Sequence, residues 1–245
     1  MVAMSEPVDK TRIVISQSMY FPWVGLLEQI RLADIFMHYD DVHYARGFYN
    51  RVQAKTARGI KWLTVPLQDQ HRGQRLDEVV VDNRLDWRSQ HRALLRQAYF
   101  KAPYRDEMLA LVDEVFAMPL LSLAEVSRES MLSLARYFGL IQGQRFMCSS
   151  DQNIGGSSSQ RLHDLVQSIG AKVYVTGHGA RNYLDHGLFE RSGITVQYMK
   201  YQMVPYPQLH GEFTPYVTGL DLLANCGREG SVVICSGAID WKEFV

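Results

Sequence analysis

The sequence predicts an α/β fold with a mostly parallel sheet and flanking helices. Two observations support this fold class. Short apolar, β-branched stretches alternate with amphipathic helical stretches near both ends of the chain. The connections between these strand candidates are long enough for parallel crossovers. We therefore expect one domain over residues 1–245, interrupted by a helical insertion at about residues 86–140.

The first part of the chain opens in the order strand, helix, strand. Residues 12–16 are short, apolar and β-branched, which is typical of a buried strand. Apolar residues then recur at helical spacing from Val24 to Ala33, and a second apolar strand candidate follows at residues 34–39. A connection of this kind between neighbouring parallel strands predicts a Rossmann-like sheet.

The middle of the chain changes its pattern. Residues 60–67 and 76–81 look like two more strands, and no helix fits between them, so we expect an antiparallel pair or side hairpin. From residue 86 to 138, apolar faces at helical spacing predict successive helices, with Gly139 as the final stop.

The alternation of strands and helices resumes after the helical region. Strands are predicted at residues 145–149, 171–176 and 194–198. A helical stripe ends at Gly170, and a short helix is predicted to open at Ala180. Part of residues 213–225 is also expected to be helical.

Composition excludes several classes of protein. Lys plus Arg and Asp plus Glu both number 26, so bulk charge does not favour nucleic acid or an anionic membrane as partner. The three cysteines match no disulfide framework or zinc motif. Residues 1–11 are polar and lack a signal-peptide core, and the longest apolar run, residues 115–124, is too short to span a bilayer. We expect a cytoplasmic protein without a membrane span.

The loop after the first strand contains three candidate substrate-binding residues, Gln17, Tyr20 and Trp23. In open parallel sheets, ligands bind at the carboxyl ends of the strands. The aromatic rings of this loop can stack on a base or a sugar ring, or they can fill the top of the core. The sequence leaves both alternatives open.

Acidic residues follow the second strand. His38, Asp40, Asp41 and His43 resemble a metal site, but strand alternation places them on opposite faces unless the chain turns, and their spacing matches no usual ligand pattern. We therefore predict no metal site. Asp40 and Asp41 are instead candidate catalytic bases for a hydroxyl or an amine, and the alternative is that they only shape a turn.

A basic segment with aromatic neighbours follows the aspartates. Asn50 and Arg51, with Lys55, stand close in sequence to Phe48 and Tyr49. A cation beside aromatic rings can hold a phosphate or a carboxylate, so Asn50 and Arg51 are candidate binding residues. A solvated surface turn is the alternative.

The serine- and glycine-rich loop at residues 149–161 is the strongest local signal. Ser149, Ser150 and Arg161 are its candidate binding residues, because a loop of this kind at a helix start favours an anion. The loop lacks the GK[ST] ending of a phosphate-binding P-loop. A helix start that is simply capped by serine is the alternative.

A similar arrangement follows the next strand, with Gly177, His178, Arg181 and Tyr183 as candidates. His178 can act as a general acid or base. Because both loops follow a strand, we predict that Arg161 and Arg181 bind one anionic group, or two adjacent ones, in a single cleft. Cys148 precedes the first of these loops without an identifiable partner base, and we expect it to be a buried, inert thiol.

These blocks together resemble the WbqC-like protein family over nearly the whole chain. The matching residues are Gln17, Tyr20-Phe21-Pro22-Trp23, Gly25, Ala33-Asp34, Asp40-Asp41, Asn50-Arg51, Trp62-Leu63-Thr64-Val65-Pro66, Ser149-Ser150, Arg161-Leu162, Gly170-Ala171, Tyr174, Gly177, Tyr183-Leu184-Asp185, Phe189, Gly193-Ile194, Asp221-Leu222-Leu223, Asn225 and Gly227. The resemblance implies an accessory biosynthetic enzyme of the kind associated with bacterial surface polysaccharides. It also implies acyl or aminoacyl transfer. We expect a small-molecule substrate with an anionic group and a donor linked to CoA or a carrier protein.

A more distant similarity is to nucleotidyltransferases of the same fold class. Those proteins carry an HxGH motif after the first strand, where this chain has Trp23-Val24-Gly25-Leu26 and neither histidine. Three functions therefore remain open: a transferase that forms an amide or ester on a sugar or related metabolite, a nucleotide-dependent transferase, and a non-catalytic carrier or scaffold protein. The sequence indicates no particular cofactor.

Overall fold

The computed structural model describes residues 10–45 and 47–244. Its main feature is a six-stranded sheet in the order β5-β2-β1-β6-β7-β8. The strands of this sheet are β1 (Arg12–Ser16), β2 (Ile35–His38), β5 (Arg145–Cys148), β6 (Val173–Thr176), β7 (Thr195–Lys200) and β8 (Gly237–Asp240). The first five of these run parallel to one another, and β8 pairs antiparallel with β7 at the edge. The predicted α/β, mostly parallel fold is confirmed.

Helices cover both faces of the sheet because successive side chains of each strand point to opposite sides. The helices are α1 (Val24–Leu32), α2 (Trp87–Ala98), α3 (Arg105–Ala117), α4 (Leu123–Tyr137), α5 (Ser158–Ile169), α6 (His186–Arg191) and α7 (Gly219–Cys226). Val14 and Phe36 belong to the core that includes α1 to α4 and α7. Ile13 and Ile35 belong to the opposite core, which includes α5 and α6.

The helical region at residues 86–140 consists of α2, α3 and α4, as the apolar spacing predicts. Ser122 caps α4: its Oγ accepts from the N–H of Glu125 at 3.2 Å, and Glu125 Oε2 accepts from the N–H of Ser122 at 2.9 Å. This reciprocal pair satisfies two free donors at the helix start. Gly139 follows the helix with a φ of 67°, a left-handed conformation that favours glycine.

The hairpin before these helices differs from the prediction. It pairs β3 (Arg51–Thr56) with β4 (Gly59–Thr64), and β3 is a strand that the polar sequence did not reveal. The prediction of a strand at residues 76–81 is wrong. That stretch forms a short 3₁₀ turn at Leu76–Glu78, because Leu76 and Val79 are buried in a small cluster with Leu123 that requires a bend.

Smaller differences occur near the end of the chain. The helix predicted at Ala180 is a 3₁₀ turn at His178–Asn182, and α6 follows it. The edge strand β8 was not predicted either. Residues 1–9 of the polar N-terminal segment lie outside the described residues, and the single-domain organisation over residues 1–245 stays a prediction. Within the described part of the chain, no helix has the length and apolar character needed to cross a membrane.

Candidate functional site

A large cleft opens where the strand order reverses. The neighbouring strands β1 and β6 run parallel, but the chain leaves β1 through α1 toward β2 and leaves β6 through α6 toward β7, on the other side. The loops after β1 and β6 therefore diverge at their carboxyl ends, which is where ligands bind in open α/β sheets. We call this space, of about 960 Å³, the switch-point cleft.

Aromatic side chains form several walls of the switch-point cleft. The ring of Trp23 lies 5.2 Å from that of Tyr201 and 5.9 Å from that of Tyr216, measured between ring centroids. On the hairpin side, the rings of Phe48 and Trp62 are 5.9 Å apart. Flat apolar walls of this kind suit a ligand that contains a ring.

The polar side chains of the cleft include three amides and one guanidinium. Gln17, Gln29 and Gln53 line the cleft from the first loop, α1 and β3. The guanidinium of Arg51 lies over the Trp62 ring, 4.5 Å from its centroid. Among the described residues that line the cleft there is no aspartate or glutamate. The cleft therefore offers a neutral, hydrogen-bonding interior with one permanent positive charge, which favours a ligand with an anionic group.

Gly177 lets two segments approach closely at the base of the cleft. A Cβ atom at this position would lie 3.3 Å from Nε2 of Gln29 and 3.5 Å from the hydroxyl of Tyr201. Those two groups are joined by a hydrogen bond of 2.9 Å. The glycine therefore allows the loop after β6 to lie against an amide–hydroxyl pair that lines the cleft.

His178 is the candidate proton-transfer group of the cleft. Its Nε2 lies 2.6 Å from the carbonyl oxygen of Met199, and a carbonyl can only accept, so Nε2 carries the hydrogen. In the neutral ring the lone pair is then on Nδ1. Rings of Tyr201 and Phe244 pack at 5.0 and 4.7 Å from the imidazole and restrict its orientation. This arrangement provides an exposed imidazole with a defined tautomer.

Two other predicted binding residues lie away from the cleft surface. Tyr20 is fully buried, and its hydroxyl lies 3.0 Å from Nδ1 of His91. Of the two alternatives for this residue, the structure favours packing in the core. Asn50 is also buried, and its amide donates to the carbonyl of Val65 at 3.0 Å, which ties the start of β3 to the end of the hairpin.

One connected cluster of polar side chains, which we call the aspartate latch, consists of Asp40, Asp41, Ser149, Ser150 and Arg161. His38 and Cys148 are register partners in β2 and β5, so the residues after these strands meet.

Each latch aspartate has several partners. The Ser149 hydroxyl lies 2.5 Å from Asp41 Oδ1, and Asp40 accepts from the N–H of Ser150 at 3.1 Å. Asp41 also forms a buried ion pair with Nη2 of Arg161.

Arg161 is held on several sides within the latch. Its Nε donates to the carbonyl of Ile154 at 3.0 Å, and its guanidinium lies 5.1 Å from the centre of the Tyr39 ring. The side chain is only 7% exposed. Because Asp41 balances its charge, Arg161 is a weaker anion site than an unpaired arginine would be.

Arg161 and Arg181 do not line a common cleft. Arg161 and Tyr183 border a separate opening of about 390 Å³ beside the start of α5. Arg181 is exposed and lies over the Phe244 ring, 5.5 Å from its centroid. The joint binding of one anionic ligand by the two arginines stays a prediction, and this separation weighs against it.

Burial perturbs several titratable groups near the sheet. Burial lowers the pKa of His38 to about 3 and that of His91 to about 4. Burial also raises the pKa of the Cys148 thiol to about 11, so its nucleophilic thiolate is disfavoured. Within residues 10–45 and 47–244, no group of three or more His, Cys, Asp and Glu side chains is placed to hold a metal ion.

A comparison with known protein families covers most of the chain. The model of the WbqC-like protein family matches residues 17–232. The chain belongs to the WbqC-like protein family. The matched region includes the loop after β1, the hairpin, the aspartate latch and the loop after β6, and it ends before β8.

One relative is similar to this chain over most of its length. The WbqC-like chain is 33% identical over 222 residues to the uncharacterized protein Rv1507c of Mycobacterium tuberculosis (strain ATCC 25618 / H37Rv). The alignment covers 89% of this chain and 95% of the relative. No solved structure matches this chain. The comparisons therefore establish the family and leave the reaction to be argued from the cleft.

Sequence reasoning did not assign several cleft residues to the site. Gln29 lies within α1, where an amide between apolar residues gives no signal of its own. Gln53 lies in β3, and it could be placed at the site only if that strand had been predicted. Tyr201 and Tyr216 lie at the two ends of an irregular connection between β7 and α7, which carries no periodic pattern. The aromatic content of that connection is the one signal that sequence reasoning had available.

Proposed function

We propose that the protein is a biosynthetic transferase that forms an amide or an ester on a sugar or related small metabolite in the switch-point cleft. The observation that carries this proposal is the combination of aromatic walls with a single arginine, Arg51, among the described residues that line the cleft. The aromatic rings support the ring of the substrate, and Arg51 binds its phosphate or carboxylate. Membership of the WbqC-like family supports acyl or aminoacyl transfer in particular.

His178 is the general base of the proposed reaction. The substrate hydroxyl or amine attacks the carbonyl carbon of a thioester donor linked to CoA or a carrier protein. Nδ1 of His178 accepts the proton as the new C–O or C–N bond forms, because Nε2 is committed to the Met199 carbonyl. The C–S bond then breaks, and the proton passes to the departing thiolate. Asp41 remains the second candidate, although it borders the smaller opening and not the switch-point cleft, and its partners in the latch make it less available.

A mass-spectrometric screen tests the reaction. The purified protein is incubated with nucleotide sugars or amino acids as acceptors, and with acyl-CoA compounds or carrier-protein thioesters as donors. We expect an acceptor to gain the acyl mass while a free thiol is released. Release of pyrophosphate or a nucleoside monophosphate would instead support a nucleotide-dependent transferase. The absence of turnover, with thermal stabilisation by none of these compounds, would support a carrier or scaffold role.

Variants with matched controls test the roles of His178 and Arg51. His178→Gln should lower kcat by about 10²- to 10⁴-fold, which is the usual contribution of a general base. His186→Gln is the control, because His186 stacks on Trp241 and does not line the cleft. Arg51→Met should raise KM, while Arg58→Met, in the turn of the same hairpin, should not. Equal effects of each variant and its control would contradict the assignment.

The nucleotide-dependent alternative also has one favourable observation. A base could stack on Trp62 while Arg51, directly beside that ring, binds a phosphate. The two glycine-containing loops that were expected to share this phosphate line different openings, since Gly177 and Gly179 border the switch-point cleft and Gly156 borders the smaller one. This separation is why we place acyl transfer first.

A further inference from the structure

Trp23 lies over a glycine at the start of α1. A Cβ atom built at Gly25 would be closer than 3.0 Å to three atoms of the six-membered ring of Trp23. Real Cβ atoms do not approach other atoms so closely, so the indole occupies the space where a side chain at position 25 would begin. The position of this ring therefore depends on the glycine.

The same indole separates two spaces. One is the switch-point cleft, and the other is a smaller, partly open pocket of about 20 Å³, lined also by Glu28 and Phe213. Both spaces are bordered by Trp23, Tyr201 and Met203. The smaller pocket has room for about one water molecule. It is therefore too small for a substrate while the indole stays in place.

Glu28 lines the smaller pocket, and its Oε1 accepts from the N–H of Ser236 at 3.4 Å. Glu28 is 2% exposed, and burial raises its pKa. A ligand that passed Trp23 would meet this buried acid in place of the amides of the cleft. The partition thus separates two chemically different environments.

We infer that Trp23 is a specificity-determining residue that limits how deeply a ligand enters the switch-point cleft, and that Gly25 is the positioning residue that holds its indole in place. The inference rests on the proposed function only in taking this cleft as the substrate site. Removal of the indole should join the cleft to the smaller pocket. A side chain at position 25 should push the indole toward the cleft.

Indole tests the partition without knowledge of the substrate. In Trp23→Ala, free indole should fill the vacated space and raise Tm by about 2–4 °C at a concentration about tenfold above its Kd. The wild-type protein and Trp62→Ala should show no such shift, because Trp62 lies at the exposed side of the cleft and leaves no enclosed space. Equal shifts in the two alanine variants would overturn the partition.

Fluorine NMR tests the positioning role of Gly25, also where Trp23→Ala fails to fold. The protein is labelled with 5-fluorotryptophan, and the Trp23 signal is assigned with Trp23→Phe. Gly25→Ala should shift that signal and leave those of the other three tryptophans in place. Gly155→Ala is the control, since a Cβ there meets no atom within 4 Å. An unmoved Trp23 signal in folded Gly25→Ala would overturn the inference.

These results separate the inference from the proposed function. The indole and fluorine measurements report on Trp23 whether or not any transfer reaction is found. If both succeed and the substrate screen fails, the partition stands and the transferase proposal falls. If the screen succeeds and both fail, the cleft is the substrate site but Trp23 does not limit its depth.

Discussion

The switch-point cleft and the aspartate latch lie at the same edge of the sheet but are built in opposite ways. The cleft is lined by aromatic rings and amides, with the exposed Arg51 as its permanent charge among the described lining residues. The latch is built from charged and hydroxyl groups whose partners are one another, such as Asp41 with Ser149 and Arg161. Polar residue type alone therefore does not identify a binding site; the partners of each side chain do.

The difference follows from chain connectivity. The latch joins the ends of β2 and β5, which are neighbours in the sheet, so the polar residues after these strands meet and satisfy each other. The cleft lies between β1 and β6, whose loops diverge. Side chains that line this gap face a space where a ligand can enter.

Asp41→Asn should strongly destabilise the protein. The substitution leaves the buried guanidinium of Arg161 without its counter-charge, which typically costs about 3–5 kcal/mol in the free energy of unfolding. Urea denaturation measures this cost. The matched control is Asp113→Asn, because the Arg92–Asp113 pair is 40% and 44% exposed and should contribute at most about 1 kcal/mol.

The same variant decides between the two roles of Asp41. A structural role predicts that residual activity follows the folded fraction. A normally stable Asp41→Asn protein without activity would instead restore the catalytic interpretation of the aspartates and weaken the contrast between latch and cleft.

Acid should destabilise the core beneath both regions. His38 and His91 are neutral when folded, with pKa values lowered to about 3 and about 4 by burial, whereas an unfolded histidine titrates near 6.5. Because the unfolded chain binds the proton more readily, stability is fully present above about pH 6.5 and is lost as the pH falls toward those values. Each group should contribute a slope of up to about 1.4 kcal/mol per pH unit.

Urea denaturation between pH 7 and pH 4.5 measures this slope. His38→Gln should reduce it, since the glutamine does not titrate. The exposed His43 supplies the control, and His43→Gln should leave the slope unchanged. If the slope is the same in all three proteins, His38 does not drive the loss of stability.

Much of the fold could be predicted because its signals are local. Strand β1 and the helices α2 to α4 follow from apolar spacing, and the left-handed Gly170 ends α5 as expected. Strand β3 has the sequence Arg-Val-Gln-Ala-Lys-Thr, in which polar and apolar residues alternate. Only two of its residues, Val52 and Ala54, are apolar, so the sequence did not predict a strand. The turn at Leu76–Glu78 differs from the predicted strand because contacts with α4, a helix distant in sequence, determine which of its residues are buried.

The candidate site was predictable only in part. Five of the residues that the sequence predicts for the site line one cleft. They are Gln17, Trp23, Arg51, Gly177 and His178. The sequence could not show that the aspartates bind serines more than 100 positions away, because such partners depend on sheet order.

Gly177→Ala should have a moderate effect. The added methyl would lie 3.3 Å from Gln29 Nε2, so the Gln29–Tyr201 hydrogen bond must shift, at a cost of about 1 kcal/mol. Thermal denaturation together with ligand titration measures the effect on stability and on the cleft. Gly179→Ala is the control, since its Cβ meets nothing within 4 Å. A protein with Gly177→Ala that binds and melts like wild type would show that this close approach is not needed.

Arg51→Met should have the smallest effect on stability and gives the sharpest contrast with the latch. Arg51 is exposed, and its main contact is with the face of the Trp62 ring, an interaction worth about 0.5–1 kcal/mol at exposed sites. The free energy of unfolding should therefore change by no more than about 1 kcal/mol, while affinity for an anionic ligand falls by a larger amount, since hydrogen bonds to charged groups contribute about 1.5–3 kcal/mol. Urea denaturation and calorimetric titration of the same preparation measure both quantities. A loss of stability comparable to that of Asp41→Asn would show that the cleft cation is part of the scaffold, and the distinction between the two regions would fail.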